Sequence, residues 1–189
     1  MATLTAEERD FLTAQLEKSR AEFLDAIAGL PSPQWSFRPS ADVWSVQEIA
    51  DHVVVVEQRI FKMIQKTLRE PAQPEKAAEV AGKEKKLIRA VLDRSYKVKV
   101  PEPMEPTGQA ETPEQIAALF QQVRANTIEY VRGTADPLHH HFAPHFVLKD
   151  LDGAQWLLMI ALHTSRHVQQ IEEVKADASY PGRTSQAAS

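Results

Sequence analysis

Three histidines stand where an apolar residue would ordinarily face a helix interior. His163 and His167 are four residues apart, one turn on the same helical face, the geometry in which two imidazoles share one metal ion. They occupy successive rungs of an inward ladder formed by Trp156, Ile160, His163, His167, Ile171 and Val174. His52 lies between Ile49 and Val56 at three-and-four spacing, so it points inward from a second helix. Imidazoles converging from two helices can hold Zn²⁺ or Ni²⁺ and leave a coordination position for water. A single inward histidine is more often a hydrogen-bonded core residue than a ligand. Three on facing stripes are harder to account for in that way, because burying unpaired imidazoles is costly and a metal relieves the cost.

The neighbouring polar residues carry weaker signals. Glu48, one turn before His52, has the spacing of a base or orienting group, but also that of the third residue of a capping box, and the cap is the better reading. Gln170, three residues after His167, is placed either to support that ring or to flank the core. Arg166 and Glu57 read as solvated charges. The segment LHHHFAPH brings His139, His140, His141 and His145 together in a loop. Adjacent side chains diverge too much for all to reach one ion, so these are expected at the surface or site rim, with His145 the nearest to the main site. The chain has 7 histidines and no cysteine, which excludes disulfides, cysteine-ligated metal centres and a cysteine nucleophile. If it handles sulfur, the thiol arrives with a small molecule.

The elements that would position these residues are marked by caps and by 12 prolines. One helix runs from Thr5, with Glu8 completing a capping box, to about Ala28, where Gly29 can end it. A second begins at Ser45 with Glu48, and Trp44 and Ile49 are placed as a hydrophobic staple. Its ladder of Ile49, Val53, Val56, Ile60, Ile64 and Leu68 outweighs the strand preference of four consecutive valines. A shorter helix covers about Lys83 to Arg94. A third long helix opens with Thr112, Pro113 and Gln115 and ends at Gly133; the fourth runs from Asp152 to about Asp177. No strand pattern emerges. The expectation is an all-α four-helix bundle, a single domain over residues 1–180, followed by a flexible tail at 181–189. The long connection between the second and third long helices, from Arg69 to Glu111, crosses the bundle and carries the short helix.

The 189 residues carry a net charge of -4, which argues against general nucleic-acid binding. The basic stretch from Lys83 to Lys99 holds a single aromatic, Tyr96, too few for stacking on successive bases, and reads as a solvated helix face. The start, MATLTAEERD, lacks the order of a signal peptide. The longest apolar run, Trp156 to Leu162, falls far short of the roughly 18 residues of a membrane span. A cytoplasmic protein with no membrane partner is expected.

The segments WSVQEIADHVVVVEQRI and WLLMIALHTSRHVQQIEEVK resemble the two motif helices of the DinB-like metal-binding superfamily. One histidine comes first and H-x-x-x-H follows, and the likeness extends over about residues 5–178. The resemblance implies an up-down-down-up bundle and one divalent ion, nickel or zinc, held by His52, His163 and His167. It also implies a homodimer and a small-molecule substrate. Relatives with known chemistry include bacillithiol- and mycothiol-dependent S-transferases and a thiol-dependent maleylpyruvate isomerase. The expected function is therefore that of a metal-dependent enzyme activating water or a small-molecule thiol, as a hydrolase or thiol S-transferase. The alternative is a non-enzymatic metal-binding or stress-related interaction module. The sequence identifies no general base.

Overall fold

The computed structural model describes residues 2–95, 104–109 and 111–182. Four long helices form the bundle: α1 (Ala6–Ile27), α3 (Val46–Thr67), α6 (Pro113–Gly133) and α7 (Gly153–Lys175). Each starts where its sequence offers a cap. Thr5 with Glu8, Ser45 with Glu48, Thr112 with Gln115 and Asp152 with Gln155 all form complete capping boxes. Each box satisfies helix-end donors reciprocally, and an N-cap side chain contributes about 1 kcal/mol. The valine run lies wholly inside α3, where burial of an amphipathic face outweighs intrinsic strand preference.

Around the bundle the order is α1, α7, α3, α6. Contacts between named residues fix the directions. Arg9 at the start of α1 bonds Thr134 at the end of α6, so these two are antiparallel. His139 touches both Glu8 of α1 and Asp152, the cap of α7, so α1 and α7 start at the same end. His52, early in α3, meets His163 and His167, late in α7, so that pair is antiparallel. Glu57 pairs with Arg124 and Phe61 packs on Tyr130, so α3 and α6 run parallel. The topology is up-down-down-up, as expected.

Parallel α3 and α6 oblige the chain to travel back along the bundle between them. It does so partly through α4 (Ala77–Val80) and α5 (Glu84–Leu92). Gln155 bonds the Val80 carbonyl and Glu84, while Arg166 bonds the Val91 carbonyl, so α5 lies along α7 in the same direction. Leu87 and Val91 are its buried face. Of the basic stretch, Lys83 donates to the Asp150 carbonyl and Arg94 pairs with Glu173; Lys97 and Lys99 lie outside the described residues.

Besides α4, two features depart from the expected elements. A single turn, α2 (Ser32–Trp35), follows α1 and seats Trp35 in the core. A two-stranded antiparallel hairpin, β1 (Phe142–His145) with β2 (Lys149–Asp152), precedes α7. Its three-residue loop closes with Lys149 at φ 61, a position where glycine would usually announce the turn. Pro144 sits within β1, further obscuring the strand. Of the tail expected at 181–189, the Pro181 carbonyl accepts from Gln34; residues 183–189 lie outside the described residues.

The apolar core is divided in two. One cluster centres on Leu12, Leu16, Ile60 and Leu157 to Leu162, the other on Phe23, Ile49, Val53, Phe120 and Ile171. Between them lies a buried polar layer of Ser19, Glu57, Arg124, Thr127 and Thr164, drawn from all four long helices.

Candidate metal centre

His52 comes from the second turn of α3, His163 from the middle of α7 and His167 from its C-terminal half. The antiparallel packing of these helices brings the three rings together. Nε2 of His163 lies 3.2 Å from Nε2 of His52 and 3.1 Å from Nε2 of His167. One nitrogen from each ring falls within 4.8 Å of the other two. Two nitrogens in a tetrahedral shell with bonds of about 2.0–2.1 Å would be about 3.3 Å apart, so the spacing suits a shared cation. His52 and His167 are buried, and His163 is partly exposed.

The outer faces of two rings settle where their protons lie. Nδ1 of His52 is 2.6 Å from the Met104 carbonyl oxygen, an acceptor only, so Nδ1 carries the proton and donates. Nδ1 of His167 is 2.8 Å from Oε1 of Gln170 and donates in the same way. Both neutral rings then turn a bare Nε2 lone pair toward His163. A single proton on His163 cannot satisfy two lone pairs, whereas a divalent cation accepts from all three. The donor set therefore fits a metal.

The electrostatics agree. Burial holds His52 below the ordinary histidine range, opposed by the Met104 carbonyl and the nearby Asp51 charge. Burial, followed by the repulsion of neighbouring rings, holds His163 and His167 well below it. Metal ligation requires neutral imidazoles, and this environment keeps them neutral. Trp44 packs against His52 with ring centroids 5.0 Å apart, sealing that flank.

The remaining residues singled out from the sequence fall into place. Both oxygens of Glu48 are engaged, one by the Ser45 cap and the other by Arg38, so the cap reading holds. Gln170 supports His167. Glu57 is a correction: expected in solvent, it is 1% exposed and paired with Arg124. The reason is its position, one turn after Val53 on the inward stripe. Arg166 bonds the carbonyls of Val91 and Asp93, tying α5 to α7. The loop histidines belong to the other end of the bundle. His145 accepts from the backbone N–H groups of Val147 and Leu148 and packs on Trp156, about two turns from His163 along α7. His141, also expected at the surface, is buried and tied to the Thr67 carbonyl, where it closes the end of α3.

Sequence reasoning overlooked Arg124. It is 0% exposed, bidentate on Glu57, and bonded to the Leu16 carbonyl, Ser19 and Thr164. It sits one turn after Phe120 on the buried ladder of α6, the same stripe-breaking signal that marked the histidines. Among the described residues no helix is long and apolar enough to cross a membrane.

Comparison with known proteins agrees with this architecture. YuaE of Bacillus subtilis (strain 168), itself uncharacterised, is 25% identical over 158 residues, 84% of this chain and 93% of its own length. The solved structure of YfiT from Bacillus subtilis, described as a "probable metal-dependent hydrolase with an unusual four-helix bundle topology", matches with a TM-score of 0.60 at 16% identity. That match covers 92% of this chain and 89% of YfiT, and at such identity it is a likeness of fold. The DinB superfamily model matches residues 15–171, from within α1 to Ile171 in α7, and the chain belongs to that superfamily.

Proposed function

We propose that this protein is a metal-dependent hydrolase in which His52, His163 and His167 hold one divalent ion, zinc or nickel. The observation that carries the proposal is the convergence of three Nε2 atoms whose outer Nδ1 partners leave two of them unprotonated. An ion held there supplies Lewis acidity, which makes a water or a thiol sulfur nucleophilic at neutral pH. The chain's own contribution is to present neutral imidazoles, to fix their tautomers through Met104 and Gln170, and to exclude solvent from the His52 flank with Trp44. The description of YfiT as a probable metal-dependent hydrolase supports water over a thiol as the activated group. A thiol S-transferase needs the same three ligands and is the other outcome of the activity test.

Protein purified without an affinity tag is expected to carry about one zinc or nickel ion per chain by elemental analysis, and a His163→Ala variant to carry none. Wild-type protein that is empty and refuses both added ions refutes the proposal. Loaded protein is then assayed on chromogenic esters, amides and phosphoesters, and with low-molecular-weight thiols plus a chromogenic electrophile. Turnover above the His163→Ala background in one panel assigns the reaction class; none in either leaves a metal-binding module and removes the enzyme reading. The homodimer expected from the resemblance and the cytoplasmic location expected from the sequence belong to the same proposal, and light scattering tests the dimer.

A further inference from the structure

The residue next to His52 has a carboxylate that the metal reading does not use. Asp51 is 2% exposed. A buried carboxylate is stable only with its acceptor sites filled. Among the described residues, those sites are filled by the strap at 104–109 in the crossover. The backbone N–H groups of Thr107 and Gly108 both donate to Oδ2, the latter at 2.6 Å, and the Thr107 hydroxyl lies 3.3 Å from the same oxygen. Gly108 has φ 70, which lets successive N–H groups turn toward one anion. Three residues before Thr107, the same strap supplies the Met104 carbonyl that accepts from Nδ1 of His52 at 2.6 Å. Consecutive residues of α3 therefore grip the strap at two points, Asp51 as acceptor and His52 as donor.

We propose that Asp51 is a positioning residue for the metal centre, acting on His52 through the backbone of the crossover strap. Metal-bound histidines commonly donate their outer N–H to a carboxylate or a carbonyl, and such partners set ring orientation. Here the two are arranged in series: the carboxylate holds the loop and the loop's carbonyl holds the ring. A carbonyl on an unpinned loop would be spread over many positions and would orient nothing. The clasp at Thr107 and Gly108 places it. The crossover thus helps to build the centre as well as connecting α3 to α6. This inference rests on the metal reading for its purpose, but its geometry is independent of any ion.

The test uses the full chain with Asp51→Asn and Asp51→Ala. Asparagine keeps the shape and one acceptor, while alanine removes the clasp. In metal-free protein, ¹⁵N resonances of the His52 ring are expected to show a single Nδ1–H tautomer in the wild type and a mixture in Asp51→Ala. Hydrogen exchange at the Thr107 and Gly108 amides should be protected in the wild type and fast in Asp51→Ala. Zinc affinity, measured by competition with a chelating dye, should fall about 10- to 100-fold in Asp51→Ala, the usual range for loss of an outer partner, and less in Asp51→Asn. Equal weakening in both variants with an unchanged His52 tautomer identifies a through-space charge effect and overturns the relay. Unchanged tautomer, exchange and affinity in Asp51→Ala overturn it as well. Should the wild type bind neither zinc nor nickel, the metal reading fails alone, and the tautomer and exchange data still decide whether Asp51 positions His52.

Discussion

Replacing Arg124 by methionine tests whether the polar layer is held by charge pairing. The side chain is fully buried, and its guanidinium donates to Glu57 Oε1 and Oε2, the Leu16 carbonyl, Ser19 Oγ and Thr164 Oγ1, all between 2.7 and 3.1 Å. Methionine fills most of the volume but leaves the Glu57 carboxylate with only the Thr127 hydroxyl at 2.9 Å among the described residues. Breaking a buried ion pair in this way costs about 3–5 kcal/mol, because one charge is left buried without its partner. For a chain of this size, at about 2–4 °C per kcal/mol, the melting temperature should fall by about 6–20 °C. The double variant Glu57→Gln/Arg124→Met removes the orphaned charge. Ser19 and Thr164 keep the Leu16 and Ile160 carbonyls as partners, so at least half of the loss should return. Urea unfolding followed by far-UV circular dichroism measures both variants, and an unchanged m-value confirms that the states compared are the same. A single-variant loss below about 1 kcal/mol, or a double variant as unstable as the sum of the singles, would refute the reasoning.

Metal binding should raise the melting temperature without creating the fold. At a free ion concentration of 100 times Kd the gain is about 2.7 kcal/mol, and the chelated protein should keep its helical circular dichroism; collapse on chelation would make the site structural. Because all three rings are held below the ordinary histidine range, protons compete poorly for them, and zinc affinity should be nearly flat from pH 7.5 to about 6.5. A tenfold loss across that interval contradicts this environment. His139 behaves in the opposite sense. Hydrogen-bonded to Asp152 at 2.9 Å and facing Glu8 at 3.3 Å, it is held above its ordinary value, chiefly by Asp152. Its stabilisation is fully present below the unfolded value of about 6.5 and fades as pH rises through the folded one. His139→Gln should therefore melt lower than wild type at pH 5.5–6 and converge with it at high pH; a deficit independent of pH rejects the charge argument.

What the sequence revealed depended on whether the signal was local. Caps such as Ser45 with Glu48 and Thr112 with Gln115 act within one turn, so the long helices could be placed from spacing alone. The three histidines were legible because each interrupts a regular apolar stripe, and a stripe reports which way a residue faces. Arg124 and Glu57 interrupt stripes in the same way. They were passed over because charged residues are so often solvated, a prior that position on the ladder should have overridden. The hairpin was hidden for a different reason. Its strands are four residues each, too short for alternation to show, and Lys149 adopts a conformation that sequence composition does not disclose. Asp51 was invisible because its partners lie more than 50 positions away on an irregular strap.

The polar layer and the histidines are linked through helix register. Apolar faces tolerate sliding, since one aliphatic contact replaces another at little cost. A guanidinium with five designated acceptors does not, because displacement of α3 or α7 by one turn would leave Glu57 or Thr164 without it. Arg124 touches both helices, and these are the two that bring His52 to His163 and His167. The 3.2 Å separation between His52 and His163, which crosses from α3 to α7, therefore depends on a residue that supplies no ligand. If so, Arg124→Met should weaken zinc binding about tenfold, in the range for loss of supporting partners. An apolar truncation in the other half of the core, Ile64→Ala near the end of α3, should cost stability through its cavity, about 2–5 kcal/mol. It should nevertheless leave zinc affinity within about threefold of wild type, since the polar layer still sets the register. Competition titrations on both variants, at a temperature where each is fully folded, separate the two effects. Equal losses of affinity would mean that global stability, and not register, controls the site.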